Sequence, residues 1–510
     1  MKTSRTKYTF LNSLAGMLVQ IVTILVAFVT RTVFIKTLGI QYAGVSGVFS
    51  NILTVLSFAE MGIGSAIIYA LFKPIAENDE RQIAKLMNAY KRIYSAIAFV
   101  ILVLGLCLIP FLGFIVTDVP DIVEDIRLIY VLYLINTASS YLLIYKASFL
   151  TAAQKDYLVS KAKIAVAIGK AVVECVVLLA TQNFILYLLI SIFTQVVQNT
   201  YIAKVAEREY PVLKSKTSEG LSKEERGRLV KDVKALFMYK VSGTILDGTD
   251  SIVISSFIGT SFVGILGNYN LIVNQVYSFV MQIFTATSAS IGNLAATSSK
   301  EHQKDVFNRM LFLCFWIYCF CATSLWTLLN PFMTIWQGEK LLFSSEMVLF
   351  LVMDFWMKGM LSPISQFRTS NGLFVQGQYR PLIMALINIV VSIFLVKRIG
   401  ITGVILGTII SRVTTQNWYD PYLVYKYVFK SSVWEYYINY LIYGSLTVGS
   451  CWMSSHILST LAVQNGFLKL FAGAALSVVV PNAVIVLLFF NTKKFNSVID
   501  LGKKMLRRSL

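Results

Sequence analysis

Runs of about 20 apolar residues recur along the whole chain, each of the length that a helix needs to cross a bilayer. Fourteen are predicted, at roughly 10–35, 42–72, 93–117, 128–150, 162–181, 184–203, 236–258, 262–292, 310–329, 347–369, 381–396, 400–418, 437–459 and 467–490. The second and eighth exceed the bilayer thickness, so they must tilt, bend or extend into water. The first follows Lys2, Arg5 and Lys7. It is too long for a signal-peptide core and lacks a small-residue cleavage site, so it reads as a retained helix. Between the runs lie short polar connectors, and the predicted outer ones are all brief.

The pattern repeats. A shift of 220 lays residues 39–51 of "TLGIQYAGVSGVFSN" (37–51) over "GTSFVGILGNYNL" (259–271), pairing Gly39 with Gly259, Gly44 with Gly264 and Gly47 with Gly267. A shift of 221 pairs Pro110 with Pro331, and one of 222 pairs Gln154-Lys155-Asp156-Tyr157 with Gln376-Gly377-Gln378-Tyr379. The expected fold is an all-α integral membrane protein of about 14 transmembrane helices. It comprises a six-helix bundle (1–203), a linker (204–235), a parallel repeat of that bundle (236–418), and two further helices with a basic tail (419–510). An even number of spans per half makes the repeat parallel, and transporters built this way bind substrate between halves that rock. The glycines are expected to form tight outer turns at Gly39 and Gly259. Gly44 and Gly47 are expected to let the second span approach the first.

Composition adds orientation. The chain is 56% hydrophobic and 14% charged, with a net charge of +19. Of the 45 Lys and Arg, only Lys36, Arg127, Lys340, Lys397, Arg398 and Lys469 fall in outer segments when the N-terminus is placed in the cytoplasm. The positive-inside rule then puts both termini inside. The surplus charge follows membrane orientation, so no nucleic-acid partner is expected. The cysteines sit in apolar segments as small hydrophobes, and with only two histidines no metal site is expected.

Ionisable groups inside spans are costly and are candidates for function. The cationic candidates for an anionic substrate are Arg31, Lys146, Lys170, Lys358 and Arg412; the candidate coupling or gating carboxylates are Glu60, Glu174, Asp247, Asp250 and Asp354. Lys170/Glu174 and Asp354/Lys358 stand four apart on one helical face, which suits mutual neutralisation. Arg31, Lys146 and Arg412 have no opposite charge within a turn, and an arginine fork suits phosphate. Lys146 lies near the cytoplasmic end and can snorkel there. An Arg31–Asp250 contact could act as a gate. Amides such as Gln195 and Asn199 suit either a hydrated cavity or helix packing.

No Gly-rich phosphate loop, Ser/His/Asp set or metal-ligand cluster is present, so no enzyme chemistry is expected. The segment 31–79, "RTVFIKTLGIQYAGVSGVFSNILTVLSFAEMGIGSAIIYALFKPIAEND", resembles the N-terminal region of bacterial oligosaccharide flippases of the multidrug/oligosaccharidyl-lipid/polysaccharide superfamily. "R-x-x-F-x-x-x-L-G-x-x-x-x-G" and "E-x-G-I-G-S-A-I" carry the match, which extends over roughly 1–430. Fourteen spans with an added C-terminal pair are also similar to the lipid II flippase branch, where that pair is associated with the lipid tail. The resemblance implies flipping of an undecaprenyl-pyrophosphate-linked oligosaccharide across the bacterial plasma membrane for capsule, exopolysaccharide or O-antigen-type synthesis. It places an arginine of that type at Arg31; the other arginines of the lipid II branch have no counterparts here. Implied partners are the lipid-linked substrate, membrane lipids, and the polymerase and glycosyltransferases of the same pathway. No cofactor is expected, and proton or sodium coupling is open. The alternatives are a multidrug or metabolite antiporter of the same fold and a membrane polysaccharide polymerase.

Overall fold

A computed structural model describes residues 2–57, 63–116, 122–153, 155–214, 221–224, 227, 248–286, 291, 294, 298–373, 375–377, 379–461 and 465–500. All regular structure among them is helical. Nine of the described helices are long and apolar enough to cross a membrane. The chain divides into two compact units, Met1–Gly264 and Ile265–Leu510.

The first unit contains α1 (Lys2–Leu38), α2 (Ile40–Leu56), α3 (Ile63–Glu77), α4 (Glu80–Leu108), α5 (Ile126–Tyr141), α6 (Ile144–Ala152), α7 (Asp156–Thr181), α8 (Phe184–Glu209), α9 (248–257) and the first turn of α10 (Thr260–Ala286). Within the predicted second span, α2 stops at Leu56 and α3 is described from Ile63. α1 packs along α7, and α5 lies against α4 and α8. A single left-handed glycine turns each repeated corner: Gly39 (φ 95°) joins α1 to α2, and Gly259 (φ 134°) joins α9 to α10.

The close approach that Gly44 permits is not to α1. A Cβ there would sit 1.9 Å from the backbone oxygen of Thr260, and one at Gly264 would sit 2.7 Å from that of Ile40. The two repeated corners pack against each other, glycine to backbone, and this contact gathers 248–264 into the first unit. Asn51 Nδ2 donates to Ser251 Oγ at 2.7 Å alongside it.

The fourth span is broken. α5 ends after 16 residues, Leu143 adopts φ 69°, and α6 continues for 9. Carbonyls freed at a break must find donors in an apolar setting. Asn199 Nδ2, from α8, supplies them to Ser140 O (3.0 Å) and Leu142 O (3.2 Å).

The second unit holds the rest of α10 and then α11 (Lys300–Gln337), α12 (Ser345–Met360), α13 (Ser362–Ser370), α14 (Arg380–Ile399), α15 (Ile401–Thr414), α16 (Gln416–Val424), α17 (Trp434–Thr460) and α18 (Gly466–Phe489). The break recurs with the same lengths, 16 residues in α12 and 9 in α13. Here Pro363 enters the first turn of α13, where its missing N–H is harmless, and Ser362 Oγ donates to Gly359 O at 2.6 Å. The proline landmarks diverge: Pro110 sits in a short 3-10 turn after α4, whereas α11 runs through Pro331. α11 is the axis of this unit, packed against α12, α17 and α18. Phe315 stacks on Tyr443 with centroids 4.2 Å apart, and Trp316 Nε1 donates to Asn482 Oδ1 at 2.7 Å, so both C-terminal helices are docked on it.

Candidate functional site

Most of the sequence-predicted charges gather into two clusters, one in each unit. In the first, Lys170 and Glu174 project from α7, and the predicted pair forms at 3.6 Å. Lys170 Nζ also reaches Ser191 Oγ on α8 at 2.8 Å. The Glu174 side chain is only 4% exposed, against 33% for Lys170. Its Oε1 accepts no hydrogen bond. Burying a carboxylate opposite a single ammonium is costly.

Arg31, from α1, donates through Nη2 to the Gly264 carbonyl at 3.1 Å. Its guanidinium also interacts with Tyr133 of α5 and Tyr187 of α8. Both tyrosines in turn lie near Glu174. Tyr133 hydrogen-bonds Ser46 of α2, whose own proton goes to Tyr42 O. Both tyrosines thus stand within electrostatic reach of Arg31 and of Glu174. Neither is a charge or an amide; the sequence signal each carries is a mid-span tyrosine, apolar in body and polar at the tip.

The second cluster corrects one predicted pairing. Asp354 does not turn to Lys358 one helical turn away. It takes Arg412 of α15, with Nε–Oδ1 at 2.9 Å and Nη2–Oδ2 at 3.4 Å. The planar fork satisfies both carboxylate oxygens, which a single ammonium cannot. Arg412 Nη1 also donates to Gln416 Oε1 at 3.3 Å, and Tyr440 lies close to both charges. Lys358 instead sits over the ring of Tyr277, 4.5 Å from its centroid, a cation–π contact.

Lys146, a candidate for snorkelling or for an anionic substrate, has a protein partner. It is buried and paired with Glu207 of α8, 61 residues away and so beyond any local spacing rule. Next to it, Lys155 pairs with Glu209 at 2.6 Å. The second unit has the like device: Asp420 holds Arg368 Nη1 at 3.0 Å and Arg380 Nε at 3.2 Å. Gly377, the counterpart of Lys155 at shift 222, makes room for it, since a Cβ there would fall 2.6 Å from Arg368 Nη2. These pairs staple the segment after each broken helix. Asp250 lies half-buried on α9. Glu60 and Asp247 lie outside the described residues.

No family model matches the sequence, and no curated protein matches it significantly. Among solved structures the chain is similar to the lipid II flippase MurJ in an inward closed conformation, at 14% identity and a TM-score of 0.68, over 94% of this chain and 99% of that one. It is similar to the MATE transporter VcmN of Vibrio cholerae at 12% identity and a TM-score of 0.58, over 84% of this chain and 99% of that one. The MATE multidrug transporter DinF-BH follows at 16% and 0.56, over 84% and 97%. The TM-scores, at identities this low, establish a common fold. The chain is a multi-pass helical membrane protein with the fold of flippases and multidrug transporters.

Proposed function

We propose that the chain flips an undecaprenyl-pyrophosphate-linked oligosaccharide repeat unit across the bacterial cytoplasmic membrane by alternating access, for capsule, exopolysaccharide or O-antigen-type synthesis. The observation that carries this reading is the reach of the fold likeness. It extends over 94% of the chain for the lipid II flippase and over 84% for the two multidrug transporters. The Arg31–Lys170 region adds the chemistry, since guanidinium and ammonium groups among tyrosine hydroxyls suit a pyrophosphate. Arg412 and Lys358 are the second unit's candidates, the former with its charge already matched by Asp354. Glu174 is the carboxylate best suited to couple a proton or sodium gradient. Both termini would face the cytoplasm, with the pathway's glycosyltransferases on that side and its polymerase across the membrane.

The test is reconstitution in liposomes with a fluorescent undecaprenyl-pyrophosphate oligosaccharide, scored by its loss of protection from an impermeant reagent. Wild-type protein should speed that loss and Arg31→Ala should abolish it with normal insertion. Movement no faster than in empty liposomes would overturn the flippase reading. A multidrug antiporter is the second reading, favoured by the carboxylates; gradient-driven export of organic cations with no flipping would select it.

A further inference from the structure

A cation inside a membrane span normally lies beside an acceptor of its own chain, because an uncompensated charge there is costly. Four of the five predicted cations do so: Lys146 has Glu207, Lys170 has Glu174, Arg412 has Asp354, and Arg31 has the carbonyl of Gly264. Lys358 does not. Among the described residues its ammonium has neither a carboxylate nor a hydrogen-bond acceptor, only the ring of Tyr277. Asp354, one turn before it, is engaged through both oxygens by Arg412. The described residues of this cluster thus hold two cations against one anion.

Snorkelling does not relieve the surplus. Lys358 stands about 20 Å along its span from Ser345 and a similar distance from Ser370 at the other end, deep in a hydrocarbon core about 30 Å thick. The ring beneath it is a particular kind of partner. A π face attracts an ammonium without taking up its three N–H donors as a carboxylate would. Tyr277 is itself held in place, since Phe355 meets it edge-on with centroids 6.5 Å apart and planes at 80°. Lys358 and Tyr277 are both half-buried, so the pair is open on one side. Asn274, one turn earlier on the same face of α10, is exposed and adds an amide donor.

A fixed surplus charge with open donors attracts an anion from outside the chain and repels a cation. Lysine meets phosphate in this way, as a point charge. We propose that Lys358 binds a phosphate oxygen of the cargo with Tyr277 as its positioning residue, and that this charge makes the second unit select phosphate-bearing over cationic cargo. The identity of the cargo rests on the flippase reading, whereas phosphate binding at Lys358 is measurable without transport.

The experiment is a binding titration of the purified full-length protein in detergent, by microscale thermophoresis, with undecaprenyl pyrophosphate or uncharged undecaprenol. Wild-type protein should bind the pyrophosphate more tightly. Lys358→Gln should weaken that binding about tenfold or more and leave undecaprenol binding unchanged, while Lys358→Arg should retain most of it. Tyr277→Leu should weaken it about threefold or more; Tyr277→Phe, which keeps the ring, should not. Lys340→Gln, on an exposed connector, should have no effect. Equal pyrophosphate binding by wild type and Lys358→Gln would overturn the proposal, and like behaviour of the two Tyr277 variants would overturn the positioning role. An equal concentration of phosphatidylglycerol should not compete; displacement by it would assign the site to bulk lipid phosphate and overturn the selection of cargo. In liposomes Lys358→Gln should raise the half-saturating cargo concentration more than it lowers the maximal rate. Lys358-dependent binding by a wild-type protein that does not flip would overturn the flippase reading and leave the phosphate site standing. Unaltered affinity and flipping in Lys358→Gln would do the reverse.

Discussion

Gly44→Ala tests the contact between the repeated corners. The new Cβ would lie 1.9 Å from Thr260 O and 2.5 Å from Thr260 C, both backbone atoms that no rotamer change can move. Restoring ordinary contact requires the corners to part by about 1.5 Å. That separation also stretches the 3.1 Å bond from Arg31 Nη2 to Gly264 O beyond hydrogen-bonding range. Overpacking costs about 1–3 kcal/mol, and losing a hydrogen bond from a charged donor costs about 1.5–3 kcal/mol. The contact should therefore weaken by about 3–5 kcal/mol, a shift of at least a hundredfold in any equilibrium that opens it. Two glycines calibrate the assay. A Cβ at Gly47 meets only Val263 Cγ1, at 3.2 Å, and that side chain can give; a Cβ at Gly169 meets nothing within 4 Å. Gly169→Ala should be neutral or stabilising by up to about 1 kcal/mol, from helix propensity. Thermal unfolding in detergent and flipping in liposomes should both rank the variants Gly44, then Gly264, then Gly47, with Gly169 unaffected. If Gly44→Ala and Gly169→Ala behave alike, the packing argument is wrong.

Three shorter predictions follow. Asn199→Ala strips the carbonyls of Ser140 and Leu142 of their donor and should cost about 1–3 kcal/mol, read as a lowered unfolding midpoint. Asp420→Asn leaves buried Arg368 and half-buried Arg380 without their shared anion and should cost about 3–5 kcal/mol, seen as poor membrane yield; wild-type yield and melting would count against the staple. Glu174→Gln keeps the shape but removes the charge, so folding should hold while gradient-driven flipping falls at least tenfold. Undiminished flipping would remove Glu174 from coupling.

The helical order and the two glycine corners could be read from the sequence because they depend on local properties: hydrophobic run length, and a residue free to take positive φ. The helix breaks could not be read equally well. In the second unit Pro363 marks the break, but in the first Leu142 and Leu143 carry no turn signal, and it is Asn199, on another helix, that makes the break tolerable. Ion pairing failed for the same reason. Spacing of four found Lys170–Glu174, yet gave Asp354 the wrong partner, because the competitor Arg412 is close only after α15 packs on α12. The depth of Lys146 along its span does not reveal its partner, Glu207, which lies 61 residues on.

The repeat separates what holds the fold from what was added to it. Corners, breaks and the charged staples recur in both halves, Lys146 falling on Arg368 at shift 222, but the charges of the two clusters do not: Arg31 has Ser251 as its counterpart at shift 220, and Asp354 has Ile135 when the breaks are aligned at shift 219. An architecture that builds one copy of a helix without a charge does not need that charge to fold. Asp354 and Arg412 make this testable. Removing either alone strands a poorly solvated charge, at about 3–5 kcal/mol. Removing both, as Asp354→Leu with Arg412→Leu, replaces the pair with apolar volume, which is often neutral or stabilising by about 1–4 kcal/mol. The double variant should therefore melt at or above the wild-type temperature while each single variant melts below it, and flipping should be lost in all three. A double variant that flips at the wild-type rate would show the pair to be a packing device; one that fails to fold would show that the charges hold the second unit together.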